Sequence, residues 1–392
     1  MEQKTPPQSS RKAPVGREGR VATNSLEKRY ELIKLGVDTH AAQYTFARMV
    51  DQLGAQPSQR LSPQAFLIFL GKQMHLARRV VMVYEAGPYG FALYRQATKL
   101  GVQCLVCAPE RLSRGRNVVN DKLDAGELLS RLDRYLAGSR TALRVVRPPT
   151  VEQEMKRRQA RERNSYRKER QRWIARGRSC LHTLGVCRPG RWWRPERYQE
   201  LMTQVLGEYG AGVTEQVRGE LERMLEMVEH LQRRLNELTM ALRAAALAKE
   251  QPRIKGIGPL SSELLDREVG DWNRFQNRRQ VASYTGLCPG ESSSGDRRMS
   301  LSIDKHGNPR VRAVLVECAW LLARYQPEYK SLGKWKEVLA PGSKAGGALR
   351  KKAAVAVGRR LAVDLWRIRT GRARAEDLGL RLALFGVEEQ EG

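Results

Sequence analysis

The chain has 392 residues, and its 71 lysines and arginines against 42 aspartates and glutamates give a formal net charge of +29. The 41% hydrophobic fraction is enough for packed cores. Two features argue against a secreted protein: the six cysteines are irregularly spaced, and the N-terminal segment has no apolar stretch. A membrane-spanning protein is also not expected, because the sequence has no run of about 18 apolar residues. We therefore expect a cytoplasmic protein with a polyanionic partner, nucleic acid first and an anionic membrane surface second.

Residues 1–28 are rich in proline, serine, glycine and charge, which predicts a disordered basic tail. From 29 to 150, hydrophobic periods typical of strands alternate with periods typical of helices, and this predicts an α/β domain with a partly parallel sheet. In chain order we predict a strand ending at Asp38, a strand at 41–50, a helix at 62–75, a strand at 78–87, a helix at 88–101, a strand at 102–110 and a helix at 121–138.

The segment 151–248 predicts a basic lead-in followed by a coiled coil. Between Lys156 and Arg172, nine basic residues accompany two acidic ones. Apolar residues then recur with alternating steps of four and three, at Val217, Leu221, Met224, Val228, Leu231, Leu235, Leu238 and Leu242. This heptad favours helix pairing within or between chains. A single amphipathic helix packed on its own domain is the alternative.

The basic residues of the lead-in and the segment after it are interleaved with aromatic residues as far as Tyr198. This pattern suits the binding of single-stranded or structured RNA, because bases stack on rings while phosphates pair with cations. A solvated helix face with aromatic rings packed below it is the alternative. The lead-in residues expected to contact nucleic acid are Arg157, Arg158, Arg161, Arg163, Arg167 and Lys168.

Residues 249–375 predict a compact, mainly helical and strongly basic domain, and 376–392 a short tail. Near its start, Ile254–Pro259 has the glycine pattern of a helix-hairpin-helix turn, whose backbone N–H groups approach a DNA phosphate closely. A plain glycine-proline connection between helices is the alternative. The residues expected to contact nucleic acid in this domain are Lys255, Arg297, Arg298, Lys305, Arg310 and Arg312.

Four acidic residues of the first domain stand where α/β proteins place their sites. Asp38 and Glu85 end predicted strands, and Asp121 and Asp124 are spaced i, i+3 on one helix face. Each acid alone has an ordinary alternative as a turn residue or a helix cap. Four converging carboxylates repel one another unless cations are bound, and two divalent ions are the usual solution in phosphodiester chemistry. The set therefore predicts two Mg²⁺ ions, with Mn²⁺ as a substitute.

The order of these acids in VDTH, YEAG and NDKLDA resembles the RuvC-like, RNase H-like domain of the DEDD transposases of insertion-sequence family one-ten. The block VASYTGLCPGESSSGDRRMSLSIDKHGNPRVRAVL is similar to that family's C-terminal block, in which Gly-Leu-x-Pro precedes Ser-Gly and a Lys-x-Gly-Asn-x-x-x-Arg segment. The resemblance covers about 30–370. It implies a RuvC-like domain at 29–150, a coiled-coil middle at 151–248 and a mainly α-helical transposase domain at 249–375.

The resemblance implies an enzyme that cleaves and rejoins DNA strands, with four catalytic metal ligands: Asp38, Glu85, Asp121 and Asp124. It also implies a nucleophilic serine that forms a covalent phosphoserine–DNA ester. Ser294, which precedes Gly295, is the best match, and the adjacent Ser292 and Ser293 leave the register open. Taken without the resemblance, ESSSG predicts a flexible polar turn.

The partners implied by the resemblance are donor and target DNA and a noncoding bridge RNA that selects them, in the cytoplasm and nucleoid of a prokaryote. A long coiled coil separates Asp124 from Ser294 along the chain. We therefore expect a homodimer or tetramer, paired through the coiled coil, to complete the active site, with domains shared between protomers.

Two other functions are compatible with the residues. A RuvC-like structure-specific endonuclease uses a metal-activated water and makes no covalent intermediate. A non-catalytic RNA- or DNA-binding coiled-coil protein has no need of the four acids, whose presence argues against this alternative.

Overall fold

The computed structural model of the chain describes residues 29–109, 121–249, 251–294 and 297–383. It contains two compact units, with the boundary between Pro148 and Pro149. The predicted tail at 1–28 and the end of the second predicted tail, from residue 384 onward, lie outside the described residues. Within the described ranges, no helix combines the length and the apolar character needed to cross a bilayer.

The N-terminal unit is built on a six-stranded mixed sheet with the order β3-β2-β1-β4-β5-β6. Strands β1, β4 and β5 run parallel, whereas β2, β3 and β6 are antiparallel to their neighbours. The elements are β1 (Tyr30–Thr39), β2 (Tyr44–Val50), β3 (Gln59–Leu61), α1 (Pro63–Leu76), β4 (Ala77–Glu85), α2 (Ala92–Lys99), β5 (Gln103–Cys107), α3 (Asp121–Leu136) and β6 (Val145–Val146). The α/β prediction is confirmed, and the short strands β3 and β6 are additions to it.

The central strands are apolar on both faces because helices cover both sides of the sheet. On β4, Met82 packs in the core under α1 and α2, and the next residue, Val83, packs under α3. The close approach of α3 depends on Gly36 of β1, where an added Cβ would overlap the backbone of Ala125 and Leu129. The first turns of α3 therefore lie against the C-terminal half of β1.

The second unit begins with two long helices, α4 (Val151–Thr183) and α5 (Pro195–Leu247), and α5 is interrupted at Gly210. The helices pack antiparallel, with Leu181 of α4 in one core with Val217 and Leu221 of α5. The heptad residues of α5 are buried or half-buried. The predicted helix pairing is thus confirmed as pairing within the chain, while pairing between chains stays a prediction.

The rest of the second unit is mainly helical, as expected. Its elements are β7 (Arg253–Ile254), α6 (Pro259–Val269), α7 (Arg278–Thr285), β8 (Pro289–Ser294), β9 (Arg297–Ile303), α8 (Pro309–Tyr325), α9 (Lys336–Leu339), α10 (Gly347–Arg369) and β10 (Leu382–Ala383), with short 3-10 turns at Trp272–Arg274, Lys330–Trp335 and Glu376–Leu378. The core lies between α8 and α10, where Leu315, Leu322, Val357 and Leu361 are fully buried.

The glycine-rich turn at Ile254–Pro259 joins the long helix α5 to α6. Strand β7 pairs with β10, Gly256 adopts a left-handed φ of 86°, and Gly258 is the N-cap of α6. The segment therefore connects two helices through a turn, as both interpretations of its sequence require. Its contact with a DNA phosphate stays a prediction.

Candidate active-site residues in the two units

Strand pairing brings Asp38 and Glu85 side by side. In the parallel pair of β1 and β4, Val37 is aligned with Tyr84, so the next residue on each strand is one of the two acids. Both acids therefore lie at the C-terminal ends of adjacent parallel strands, where open α/β sheets place ligand sites. The predicted placement of these two acids at strand ends agrees with the structure, while their catalytic and metal-binding roles stay predictions.

The helix α3 carries the other two acids. Asp124 precedes Ala125, whose carbonyl oxygen lies against Gly36 on β1, two residues before Asp38. An ion pair of 2.6 Å between buried Lys34 of β1 and the partly exposed Asp133 anchors the same helix further along. Strand pairing and helix packing thus bring Asp124 to the β1 side of this edge. Asp121 is the first residue of α3, and its side chain lies outside the described residues.

A buried arginine adds a positive charge to this edge. Arg131 donates from Nε to the Ala142 carbonyl at 3.0 Å, and its Nη1 lies 3.9 Å from Oε1 of Glu85. The sequence contained a signal for this residue, since Arg131 follows Asp124 by seven residues, or two helical turns, and so shares its helix face. Its charge lies beside the Glu85 carboxylate.

The donor atoms at the edge fit a hard divalent cation, because carboxylate oxygens are the ligands that Mg²⁺ and Mn²⁺ prefer. Asp38, Glu85 and Asp124 supply such oxygens from two strands and a helix. Among the described side chains, however, no three acids, histidines or cysteines lie close enough together to form a metal-binding group, and this includes Asp38, Glu85 and Asp124. Metal binding at this edge therefore stays a prediction.

The serine segment forms a strand, so the prediction of a flexible polar turn for ESSSG was wrong. Strand β8 pairs with β9 in an antiparallel hairpin, with Ser292 opposite Met299, Ser293 opposite Arg298 and Ser294 opposite Arg297. The side chains of 291–298 lie outside the described residues.

The motifs on either side of the serines form the base of this hairpin. An added Cβ on Gly307 would overlap the backbone of Gly286 and Tyr284, so two glycines permit the close approach of the two segments. The backbone N–H of Asn308 donates to the Tyr284 carbonyl at 2.6 Å, and the backbone N–H of Lys305 donates to the Gly286 carbonyl at 3.2 Å. The spacing of the Gly-Leu-x-Pro and Lys-x-Gly-Asn motifs is thereby explained by close packing.

A buried glutamate connects the hairpin base to α4. Glu268, which is only 3% exposed, accepts two hydrogen bonds from the Arg161 guanidinium at 3.1 and 3.2 Å and one from Nδ2 of Asn308 at 2.9 Å. Asn308 also caps α8, because its Oδ1 accepts from the Arg310 and Val311 amides. Burial alone raises the pKa of Glu268, but the bonds from Arg161 and Asn308 outweigh it and hold that pKa below its ordinary value.

Comparison with known proteins identifies the family of the chain. The model of the transposase IS116/IS110/IS902 family matches residues 252–334. A Sinorhizobium fredii protein named as a transposase, y4rJ, is 33% identical over 305 residues, which cover 73% of this chain and 76% of the relative. The chain belongs to the IS116/IS110/IS902 transposase family.

Other relatives agree with this assignment. The transposase for insertion sequence element IS1111A of Coxiella burnetii is 26% identical over 237 residues, covering 59% of this chain and 63% of the relative. A second Sinorhizobium fredii protein named as a transposase, y4qE, is 33% identical over 259 residues, which cover 66% of this chain and 61% of the relative. The predicted resemblance to family one-ten is confirmed. The segment matched by the family model contains the serine hairpin and its base.

In this transposase, several arginines expected to contact nucleic acid make bonds within the fold. Arg157 donates to the Arg267 carbonyl at 3.0 Å, Arg163 to Oγ1 of Thr239 at 2.7 Å, and Arg312 to the Thr285 carbonyl at 3.2 Å. Arg161 and Arg310 both face Glu268. Part of the basic character of α4 and α8 therefore stabilises the second unit.

The other predicted contacts are more exposed. Arg158, Arg167, Lys168 and Lys305 are exposed, and Lys255 is half-buried. The side chains of Arg297 and Arg298 lie outside the described residues. Nucleic-acid contact by any of these residues stays a prediction.

Proposed function

We propose that this transposase cleaves and rejoins DNA strands with a Mg²⁺-binding acidic edge and a hairpin serine. The observation that carries the proposal is that Asp38 and Glu85 each directly follow the last aligned pair, Val37 and Tyr84, at the ends of adjacent parallel strands. The unit that holds them is RuvC-like in this proposal, which its order of strands supports: an antiparallel meander of β1, β2 and β3, followed by β4 and β5 parallel to β1.

The acids at positions 38, 85, 121 and 124 hold the metal in this proposal. Bound there, Mg²⁺ neutralises charge on the phosphate and favours an alkoxide over a hydroxyl. Arg131, 3.9 Å from Glu85, places a positive charge beside that carboxylate. The edge is thus arranged to stabilise negative charge that increases during phosphodiester cleavage.

The serine supplies the nucleophile. The Oγ of Ser294 attacks phosphorus, the Oγ–P bond forms as the bond from phosphorus to one strand oxygen breaks, and the serine proton is balanced by a proton gained on the leaving oxygen. The resulting phosphoserine–DNA ester replaces one phosphodiester with another. A hydroxyl of a new strand reverses the step, so joining requires no nucleotide cofactor.

The nucleic-acid partners in this proposal are donor and target DNA and a noncoding guide RNA. Family membership supports DNA as the substrate, and the exposed basic residues of α4 and of the hairpin base support contact with phosphates. The serine and the acids belong to different compact units. A homodimer or tetramer that completes the site from shared units remains part of the proposal.

The test is the formation of a covalent protein–DNA adduct by the full chain, together with its co-purified RNA, on a plasmid that carries the DNA flanking its gene. We expect an adduct in Mg²⁺ that maps to Ser294 by peptide mass spectrometry and is absent in EDTA. Ser294→Ala, Asp38→Asn and Glu85→Gln each reduce it at least about 1000-fold, since each removes the nucleophile or a metal ligand.

Matched controls separate chemistry from folding in this test. Ser302→Ala changes an exposed serine on the same hairpin, and Glu31→Gln changes an exposed acid at the opposite end of β1. Both retain the adduct. An adduct on Ser292 or Ser293 corrects the register, cleavage without any adduct assigns a water-using endonuclease, and adduct formation in EDTA contradicts the metal.

A further inference from the structure

Residues of α4, of α5 and of the segment that joins them line an open groove of about 550 Å³ that the proposed chemistry does not use. A volume of this size accommodates one nucleotide, since ligand pockets span roughly 300–1,000 Å³. The groove combines one aromatic ring, three guanidinium groups and two side-chain amides. These groups belong to Trp193, Arg170, Arg194, Arg233, Gln232 and Asn236.

The ring of Trp193 is held at this groove by its buried neighbour. Trp192 is fully buried, its indole N–H donates to the Ile174 carbonyl at 2.9 Å, and its ring packs so tightly on Gly177 that an added Cβ would overlap it. The two indole rings are perpendicular, with centroids 6.4 Å apart. Trp193 is consequently half-buried in a fixed position, which lowers the entropy cost of stacking a base on it.

Within the part of the chain that the structure describes, no salt bridge joins the guanidinium groups at the groove to an acid. Arg170 lies with its guanidinium carbon 5.7 Å from the Trp193 centroid, and its buried Nε has no hydrogen-bond partner in the described part of the chain. Burial lowers the pKa of the Arg170 guanidinium, and the nearby charge of Arg194 lowers it further. Glu229 is the only acid among the residues that line the groove. Three arginines and one glutamate leave two positive charges, which an anion would neutralise.

Two amides complete the groove. Nε2 of Gln232 donates to Oδ1 of Asn236 at 2.7 Å, which orients the pair and leaves Oε1 of Gln232 and Nδ2 of Asn236 directed to other partners. An acceptor and a donor side by side match the edge of a nucleobase. The groove also contains Pro195, the first residue of α5, whose N-terminus has no side-chain cap. Helix N-termini add to the attraction for phosphate.

We propose that this groove binds one unpaired nucleotide of a single-stranded segment, with its base on Trp193 and its phosphate between Arg170 and Arg194. The proposal rests on the proposed function only in that a transposase acts on nucleic acid. A base inside a duplex does not present its face to a ring, so the groove distinguishes single strands from duplexes. RNA and DNA strands share the chemistry that the groove recognises.

The test is equilibrium binding of fluorescein-labelled oligonucleotides of about 12 nucleotides to the full chain in EDTA, followed by anisotropy. The probes are oligouridine, oligothymidine and a duplex of the same length. We expect Trp193→Ala to weaken single-strand binding about tenfold and to leave duplex affinity within about twofold, because stacking is lost. Trp193→Phe restores most of the affinity. Arg170→Ala weakens single-strand binding. It also lowers the slope of the logarithm of the binding constant against the logarithm of salt concentration by about 0.7, the value for one phosphate contact.

The charge-matched control is Arg178→Ala, which removes an exposed arginine of α4 outside the groove. It should weaken all probes by no more than about twofold. If Trp193→Ala loses affinity for oligouridine alone, the groove binds an RNA segment. If it loses affinity equally for oligouridine and oligothymidine, the groove binds single strands of either RNA or DNA. Both results support the proposal. A Trp193→Ala effect equal to that of Arg178→Ala, or an equal loss on the duplex, overturns it. Since EDTA removes the metal, failure of the catalytic proposal leaves this result unaffected.

Discussion

Acidic side chains have opposite surroundings in the two units of this transposase. At the sheet edge, strand pairing places Asp38 beside Glu85, with Arg131 3.9 Å from Glu85. In the second unit, Glu268 is buried and accepts three hydrogen bonds from Arg161 and Asn308. The first arrangement places two acids at the ends of adjacent parallel strands, where α/β sheets bind ligands, whereas the second neutralises one buried charge within the fold.

This difference separates two uses of the same residue type. An acid whose neighbours neutralise it has a structural role, and its position is set by its partners. Acids at the C-terminal ends of adjacent parallel strands supply carboxylate oxygens, the ligands that a divalent cation prefers, at a place where α/β sheets bind ligands. The comparison therefore predicts which acids lower stability when changed and which affect metal binding.

The largest expected change in stability is that of Glu268→Gln. The substitution leaves Arg161 and Arg310 without their carboxylate partner, and we expect the free energy of unfolding to fall by about 2 kcal/mol, less than for a fully buried pair because Arg161 is 44% exposed. All seven tryptophans lie between residues 173 and 366, so urea unfolding followed by tryptophan emission reports on this unit. Glu328→Gln, in an exposed pair with Lys336, is the control and changes stability by less than about 0.5 kcal/mol. Equal effects of the two substitutions contradict the structural role of Glu268.

The change in stability with pH is expected to be smaller than the loss caused by Glu268→Gln. The pKa of Glu268 is lowered in the folded chain, and that of Glu263 is lowered as well because bonds from Lys249 and Arg267 outweigh burial. Groups with a lowered folded pKa stabilise fully above their unfolded pKa, about 4.3, and lose this contribution as the pH falls through the folded value. The stability difference between the wild type and Glu268→Gln should therefore be constant above about pH 5 and diminish in more acidic solution. A difference that grows with acidity contradicts this sign.

Much of the first unit could be predicted from the sequence because its central strands are continuous apolar segments that end in an acid. Asp38 and Glu85 were located in this way, and the heptad of α5 predicted a paired helix. The short β3 and β6 were not predicted, since two or three residues carry no measurable period. The strand at ESSSG was also not predicted, because serine has no strand preference and pairing with β9 determines its conformation.

The contacts around Glu268 could not be predicted for a different reason. Its partner Arg161 is 107 residues away in the sequence, and both residues occur in amphipathic helices where a charged side chain is ordinary. The hydrogen bonds that Arg157 and Arg163 make within the fold are equally invisible in a run of basic residues. The sequence prediction therefore assigned more of the basic residues of α4 to nucleic-acid contact than the fold leaves available.

The central claim is that the acids of the sheet edge bind a divalent cation, and scanning calorimetry of the full chain in EDTA and in Mg²⁺ tests it most directly. At a Mg²⁺ concentration of about 100 times its Kd, we expect the wild type to gain about 2.7 kcal/mol and to unfold at a higher temperature. Glu268→Gln, although less stable, should gain the same amount. Asp38→Asn should gain no stability from Mg²⁺. In EDTA, its free energy of unfolding should lie within about 1 kcal/mol of the wild-type value or above it. An equal Mg²⁺ shift in Asp38→Asn and the wild type would contradict the account.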